Sequence, residues 1–320
     1  MTTSMKIARP WLSVVMPSYR GEEWIGLALQ SLAAEAADGI EVLLIDGGPT
    51  PAARVIAQGF HDRMHLRVVA REDIHSWHGK TNFGVQLAHS PYVCLLSVDD
   101  VWLPGRAAAV RAWTDTAPSA VLHLAPTAII DRQGRELGIW RCPLPTSREL
   151  SFETLAERLL VQNFIASPTP VFRRDAWIAS GGLDESLWYT ADWDLWLKLS
   201  TAGVVYYHAA ITSGFRIHGG SLTMTGSRNS AELEQQMRTV LDRYLPRLKS
   251  PSQDIDRAAR ASIAVNLALA AAAAGDPRGL WRALGTVLRL RPAAIRRFLR
   301  DTRLLERVGP RVRARMRGSF

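Results

Sequence analysis

The sequence predicts an α/β fold, with a mostly parallel central sheet flanked by helices and a helical extension at the C-terminal end. Three observations predict it. Between Trp11 and Ser97, short apolar runs rich in β-branched residues alternate with segments of helical periodicity, as parallel crossovers require. Polar and acidic residues gather where those runs end. From Pro251 onward the composition shifts to Ala, Leu and Arg.

Trp11–Met16 reads as a buried strand stopped by Pro17. Glu22–Leu32 is helical, with Ile25, Ala28, Leu29 and Leu32 on one face and acids in its first turn. Ile40–Ile45 is the second apolar run, closed by Asp46-Gly47-Gly48-Pro49. Leu66–Ala70 is the third and Tyr92–Ser97 the fourth, with a helix near Thr81–Ala88 between them. Beyond Pro104, Ser119–Ala125 and Thr127–Ile130 read as strands, and Arg132-Gln133-Gly134 as a hairpin turn. Ser151–Val161 is helical, Val171-Phe172 extended, Trp193–Ala202 an amphipathic helix ended by Gly203, and Val204–His208 a strand. Residues 230–245 are helical again. A helical hairpin broken at Gly275-Asp276-Pro277 then leads to a basic helix near Pro292–Arg307. The expected division is residues 1–225 for the sheet domain and 226–320 for the helical extension.

Hydrophobic residues make up 47% of the chain and charged residues 22%, as in an ordinary folded domain. Cys94 and Cys142 form no spacing motif, and Cys94 lies in an apolar run, which fits a reducing compartment. The net charge is +9, yet residues 250–320 alone hold fifteen arginines against five acids. The basic character therefore belongs to the tail, which argues against a nucleic-acid-binding main domain. Met1–Pro10 has no apolar stretch of the kind a signal peptide carries. Ala264–Ala274 falls short of the roughly 20 residues needed to span a bilayer. A cytoplasmic protein is expected, at most peripheral on the inner face of the membrane.

In an open α/β sheet the ligand lies beyond the carboxyl ends of the strands. Those ends carry Pro17-Ser18-Tyr19, Asp46-Gly47-Gly48, Arg71-Glu72-Asp73 and Asp99-Asp100. Two adjacent carboxylates are costly unless they are solvated or bound to a cation. Asp99-Asp100 is therefore either a turn in which Asp100 caps the next helix, or the seat of a hard divalent ion bridging a diphosphate. Asp192 begins a helix and is either a plain N-cap or a general base, whereas Asp194 points elsewhere. Arg216 and His218, two apart on an extended segment, face the same side. They are either surface residues or partners for a diphosphate and a metal.

Considered together, these segments resemble the glycosyltransferase family 2 enzymes. Val14-Val15-Met16-Pro17-Ser18-Tyr19 looks like that family's first strand, and Glu41–Gly48 like its second with the nucleoside-binding Asp46. Lys80-Thr81-Asn82-Phe83-Gly84 is similar to the N-x-G segment before the metal strand, and Leu95–Asp100 falls where the D-x-D motif stands, with Asp99 as its second Asp. Gly181–Glu185 followed by Asp192–Leu197 is similar to the acceptor region, which puts Asp192 at the base position. Arg216-x-His218-x-x-Ser221 resembles a segment that often closes the site.

The resemblance covers roughly residues 11–225 and implies the GT-A fold. It implies inverting transfer from a UDP-, GDP- or dTDP-sugar to a glycan or lipid-linked acceptor in cell-surface polysaccharide or glycoconjugate synthesis. It also implies Asp192 as the base, a divalent Mn²⁺ or Mg²⁺ ion at Asp99 and His218, and donor contacts from Pro17, Tyr19, Asp46, Asp73, Lys80, Asn82, Asp99 and Arg216.

Several positions depart from the pattern. Ser97 replaces the first Asp of D-x-D, Ala191 the Glu that commonly precedes the base, Arg20 an Asn, and Gly48-Pro49 a Ser or Thr. The first two changes support a second reading, a non-catalytic sugar-nucleotide or glycan-binding scaffold. A nucleotidyltransferase would carry a Gly-rich phosphate loop that Pro17-Ser18-Tyr19-Arg20-Gly21 does not supply. In the tail, Trp281, Leu284, Val287, Leu288, Ile295, Phe298 and Leu299 recur among arginines. Residues 278–317 are thus either a solvated appendage or a face for an anionic membrane. The tail has few aromatics to stack on nucleic-acid bases. Trp188, Trp193 and Trp196 would suit stacking on a sugar ring, although Trp196 equally suits a core.

Overall fold

A computed structural model of the chain describes residues 9–35, 39–221 and 229–318. Most of the N-terminal segment read against a signal peptide, and the expected boundary at residue 225, lie outside them. The twelve strands among the described residues are β1 (Leu12–Ser18), β2 (Ile40–Asp46), β3 (His65–Ala70), β4 (Tyr92–Leu95), β5 (Val101–Trp102), β6 (Leu122–Leu124), β7 (Thr127–Ile130), β8 (Glu136–Trp140), β9 (Glu149–Leu150), β10 (Val171–Arg173), β11 (Val205–Tyr207) and β12 (Ser213–Arg216). Eight form one sheet in the order β3-β2-β1-β4-β10-β6-β11-β9, and four form a smaller sheet, β5-β12-β7-β8. β3, β2, β1 and β4 run parallel, as do β6 and β11, while β10 runs antiparallel to both β4 and β6.

Helices cover both faces of the large sheet: α1 (Ile25–Ala34), α2 (Ala52–Gln58), α3 (Trp77–Leu87), α4 (Arg106–Thr116), α5 (Phe152–Leu159), α6 (Arg174–Ser180) and α7 (Ala191–Ala202). Successive residues of a strand face opposite sides, so β1 divides its apolar residues between two cores. Leu12, Val14 and Met16 meet Ile25 and Leu29 of α1 and Val110 and Trp113 of α4. Val15 faces the other way, into the core formed by Val85 of α3, Leu155 of α5 and Trp196 of α7. That second core continues into Leu233, Met237 and Tyr244 of α8 (Ser230–Tyr244) and Ile255 and Ile263 of α9 (Gln253–Ala273). The chain closes with α10 (Gly279–Leu288), α11 (Pro292–Thr302) and α12 (Leu304–Met316).

The differences from expectation have local causes. α3 begins at Trp77, ahead of Thr81, because the Ser76 hydroxyl accepts the Gly79 amide at 3.1 Å and caps it. α2 is short and carries only Ala53 and Ala57 as buried residues, too little apolar pattern to announce it. The single basic helix expected near Pro292–Arg307 is two helices, α11 and α12, because Arg303 between them adopts a left-handed φ of 46°. Phe298, assigned above to a membrane face, is instead buried against Val161, Ala258 and Ala261, and Val287 packs on the same cluster. Both cysteines are free and buried, and burial pushes the Cys94 thiol up to about 11.

Asp194 fastens α8 to α7. Its carboxylate is buried, accepts hydrogen bonds from Arg243 NH1 at 2.6 Å and the Tyr244 hydroxyl at 3.1 Å, and lies 3.3 Å from Lys198 Nζ. Removing it leaves two cations and a buried phenol without their common acceptor. We expect Asp194→Ala to lower unfolding free energy by roughly 2–3 kcal/mol, a penalty reduced by the partial exposure of both cations. Urea denaturation measures this directly.

Candidate active site

β4 ends in a turn, Ser97–Asp100, closed by the Asp100 amide donating to the Ser97 carbonyl at 3.1 Å. Asp100 does not cap a helix, since Gly105 occupies the N-cap of α4. Its buried carboxylate instead accepts the backbone amide of Arg216 at 2.8 Å. Burial, with the negative charge of Asp99 beside it, pushes the Asp100 carboxyl well above the ordinary carboxylate range. Arg216 answers from the second sheet: its Nε donates to the Asp99 carbonyl at 2.7 Å, and its NH1 to the carbonyls of Asp131 at 2.7 Å and Arg132 at 3.1 Å. The guanidinium also lies 4.8 Å from the Trp24 ring. In this arrangement Arg216 fixes the turn from behind.

Two residues beyond Arg216, His218 Nε2 lies 3.1 Å from Asp99 Oδ2. The pair expected to share a metal is thus brought together from two sheets. The separation fits two neighbouring ligands of one ion, since ligands at about 2.1 Å and a right angle stand roughly 3 Å apart. Among the described residues no group of three or more His, Cys, Asp or Glu is placed to hold a metal ion. Asp99 and His218 are the two such side chains brought together here among the described residues.

At the ends of β1 and β2, Ser18 is in register with Asp46. Pro17 is half-buried beside them, and Tyr19 is exposed. Asp46 is buried, accepts the Gly48 amide at 3.2 Å and pairs with Arg54 Nε at 3.3 Å. Lys80 is also buried; its Nζ donates to the His75 carbonyl at 3.1 Å and lies 5.3 Å from the Tyr19 ring. Burial lowers its pKa, and the nearby Asp46 charge opposes that shift. Gly47 makes this approach possible, because a Cβ there would overlap Lys80 Cε and stand 2.9 Å from the Ile74 carbonyl. Asp73 is exposed and held by both arms of Arg71 at 2.8 and 2.7 Å. Asn82 works elsewhere: its amide exchanges hydrogen bonds with the Leu183 carbonyl and amide at 3.0 and 2.9 Å and donates to Glu185. It ties α3 to the loop that leads to Asp192.

Thr190 holds the N-cap position of α7 without a side-chain bond, so Asp192 is not the cap. Its Oδ1 accepts the Trp193 amide at 2.7 Å and its Oδ2 accepts Asn163 Nδ2 at 3.3 Å. Desolvation outweighs these bonds and raises its pKa to about 6. Trp193 and Trp196 are buried in the core and Trp188 is half-buried, donating from Nε1 to Glu232. Sequence reasoning missed Asn163. Its signal was Gln162-Asn163, a polar pair interrupting the apolar run Leu159–Ile165.

The profile of glycosyl transferase family 2 matches residues 13–177, over half of the chain. An uncharacterised glycosyltransferase of Rickettsia prowazekii is 24% identical over 235 residues, 71% of this chain and 70% of that one. The succinoglycan biosynthesis protein ExoU of Rhizobium meliloti is 25% identical over 275 residues, 72% and 75% of the two chains. Among solved structures, TarS of S. aureus superposes with a TM-score of 0.62 at 14% identity over 93% of this chain, which spans 53% of that protein. The mannosyltransferase PcManGT of Pyrobaculum calidifontis, solved with GDP-Man and Mn²⁺, gives 0.54 at 16% identity, covering 96% and 89%. These likenesses carry the GT-A fold.

A carboxyl whose pKa is raised on folding contributes stability below the ordinary carboxylate range and loses it as pH rises through about 6. Asp192→Asn is therefore expected to be more stable than the parent at pH 8, by on the order of 1–2 kcal/mol. The gap should close toward pH 4 in paired melting curves.

Proposed function

The chain belongs to glycosyl transferase family 2, and from that premise we propose that it transfers a glycosyl group from a nucleotide sugar to a hydroxyl of a glycan or lipid-linked acceptor, with inversion. The observation that carries this reading is the meeting of Asp99 and His218, 3.1 Å apart at the carboxyl edge of the sheet. Likeness to a succinoglycan biosynthesis protein supports a role in polysaccharide assembly.

Asp99 and His218 would hold a divalent ion, Mn²⁺ or Mg²⁺, which when bound supplies Lewis-acid stabilisation of the departing diphosphate. Lys80, beside Asp46 and Tyr19, adds positive charge on the donor side. Asp192 takes the proton of the acceptor hydroxyl. The oxygen attacks the anomeric carbon, the bond from that carbon to the nucleoside diphosphate breaks, and its electron pair leaves on the phosphate oxygen. Asn163 orients the Asp192 carboxylate. It serves where the family commonly has a preceding Glu, a position filled in this chain by the fully buried Ala191.

The base must be ionised, so kcat/KM should rise with pH through about 6 and then level off. Asp192→Asn should lower kcat by about 10²–10⁴-fold while nucleotide affinity holds; Asp99→Ala should lose Mn²⁺-dependent nucleotide affinity. Nucleotide release from UDP- and GDP-sugars, followed from pH 4.5 to 8, tests both. A flat profile with equal affinities in the two variants rejects these roles.

A peripheral position on an anionic membrane, at its cytoplasmic face, rests on a separate observation. Among the described residues no helix is long and apolar enough to cross a membrane. Trp281, Leu284 and Leu288 nevertheless share one face of α10 and are 79%, 46% and 69% exposed, and Leu299, Leu305 and Met316 are exposed among arginines. Co-sedimentation with anionic vesicles should fall several-fold in a Trp281→Ser/Leu288→Ser variant. Equal binding to neutral vesicles would reject the arginine contribution.

A further inference from the structure

The last helix returns to the neighbourhood of Asp192. Ala314 of α12 is buried among Ile129, Leu137 and Ile217, the residue before His218, and Pro310 sits against Gly138. One and two turns earlier on the same face stand Arg311 and Arg307. Arg307 NH2 donates to Asn266 Oδ1 at 2.8 Å, and Arg311 NH1 to the Arg307 carbonyl at 2.6 Å. Asn266 Nδ2 in turn donates to Gln162 Oε1 at 2.9 Å, which also accepts the Ser262 hydroxyl at 3.0 Å. Gln162 adjoins Asn163, the residue that holds Asp192. A polar path thus runs from the base to the arginines.

Arg307 and Arg311 are both half-buried, and burial lowers both pKa values, that of Arg307 to about 10 with the charge of Arg311 contributing. Tyr189 stands near enough to feel both arginines and Asp192. Among the described residues no carboxylate comes within 4.0 Å of either guanidinium, although Arg303, Arg297 and Arg300 nearby are all paired. Two adjacent cations without a counter-charge are unfavourable in such a place until an anion arrives. Two guanidinium forks suit the several oxygens of a phosphate.

We propose that Arg307 and Arg311 form a phosphate-binding subsite on the acceptor side, which takes the phosphate or diphosphate of an anionic acceptor and presents its hydroxyl to Asp192. The assignment to the acceptor rests on the transferase reading. The donor-side residues Tyr19, Asp46 and Lys80 stand at the ends of β1 and β2 and on α3, whereas this pair connects through Asn266, Gln162 and Asn163 to the base.

The test titrates inorganic pyrophosphate into the full chain by calorimetry, in EDTA so that no ion bridges to Asp99. The parent should bind it, Arg311→Ala about tenfold or more weakly, Arg311→Lys with a smaller loss, and Lys80→Met, which removes the donor-side cation, as tightly as the parent. Arg311→Lys keeps the charge and secures the comparison if the alanine variant melts early. No binding by the parent, or parent-like binding by both Arg311 variants, overturns the subsite. A loss in Lys80→Met matching that in Arg311→Ala assigns the anion to the donor diphosphate and overturns the acceptor assignment. Mn²⁺-dependent UDP or GDP binding by the same samples reports separately on the transferase reading.

Discussion

The Asp100 carboxylate sits where a carboxylate is costly, at the buried end of an apolar strand with a second carboxylate next to it. It is held there by one backbone amide, that of Arg216, on a strand of the other sheet. Arg216 then uses its own side chain to hold the carbonyl of Asp99, so Asp100 fixes the backbone of Arg216 and Arg216 that of the residue before Asp100. The position of His218 against Asp99 follows from this exchange, since His218 lies two residues past Arg216. The paired donors therefore exist only when β12 has docked between β5 and β7. Burial at Asp100 secures the geometry, and the less buried Asp99 and His218 are the proposed metal donors.

A similar division of labour separates Asp192 from Asp194. Both lie in the first turn of α7, two residues apart and on different faces. Asp194 is met by Arg243, Lys198 and Tyr244 and anchors α8. Asp192 receives two hydrogen bonds and no cation, so desolvation dominates and its proton affinity moves toward neutrality. One helix end thus carries both a rivet and the proposed base.

β1, β2 and β4 were legible because they are buried nearly throughout, which leaves continuous apolar runs with polar residues at their ends, whereas β3, at the sheet edge, buries only Leu66. The two-residue strands β5 and β9 are too short to show a period, and the left-handed Arg303 reflects tertiary packing that no local signal carries. The roles proposed for Asp99, Asp192 and His218 rest on motif order, to which the structure adds the 3.1 Å approach of Asp99 to His218. What Arg216 and Asn82 do could not be read that way, because their chemistry suits a ligand equally well and only the fold shows their polar groups engaged by backbone and a neighbouring loop. What Asn163 and Arg307 hold was out of reach for a related reason: each meets its partner across tens of residues of intervening chain, 29 to Asp192 and 41 to Asn266.

Manganese electron paramagnetic resonance, with UDP and GDP added in turn, tests the pairing of Asp99 with His218 most directly. The account predicts nucleotide-dependent loss of the free Mn²⁺ signal in the parent and, with one of its two side-chain donors gone, binding weaker by about tenfold or more in His218→Ala. Equally tight Mn²⁺ in that variant, or no nucleotide-dependent binding in the parent, would contradict it.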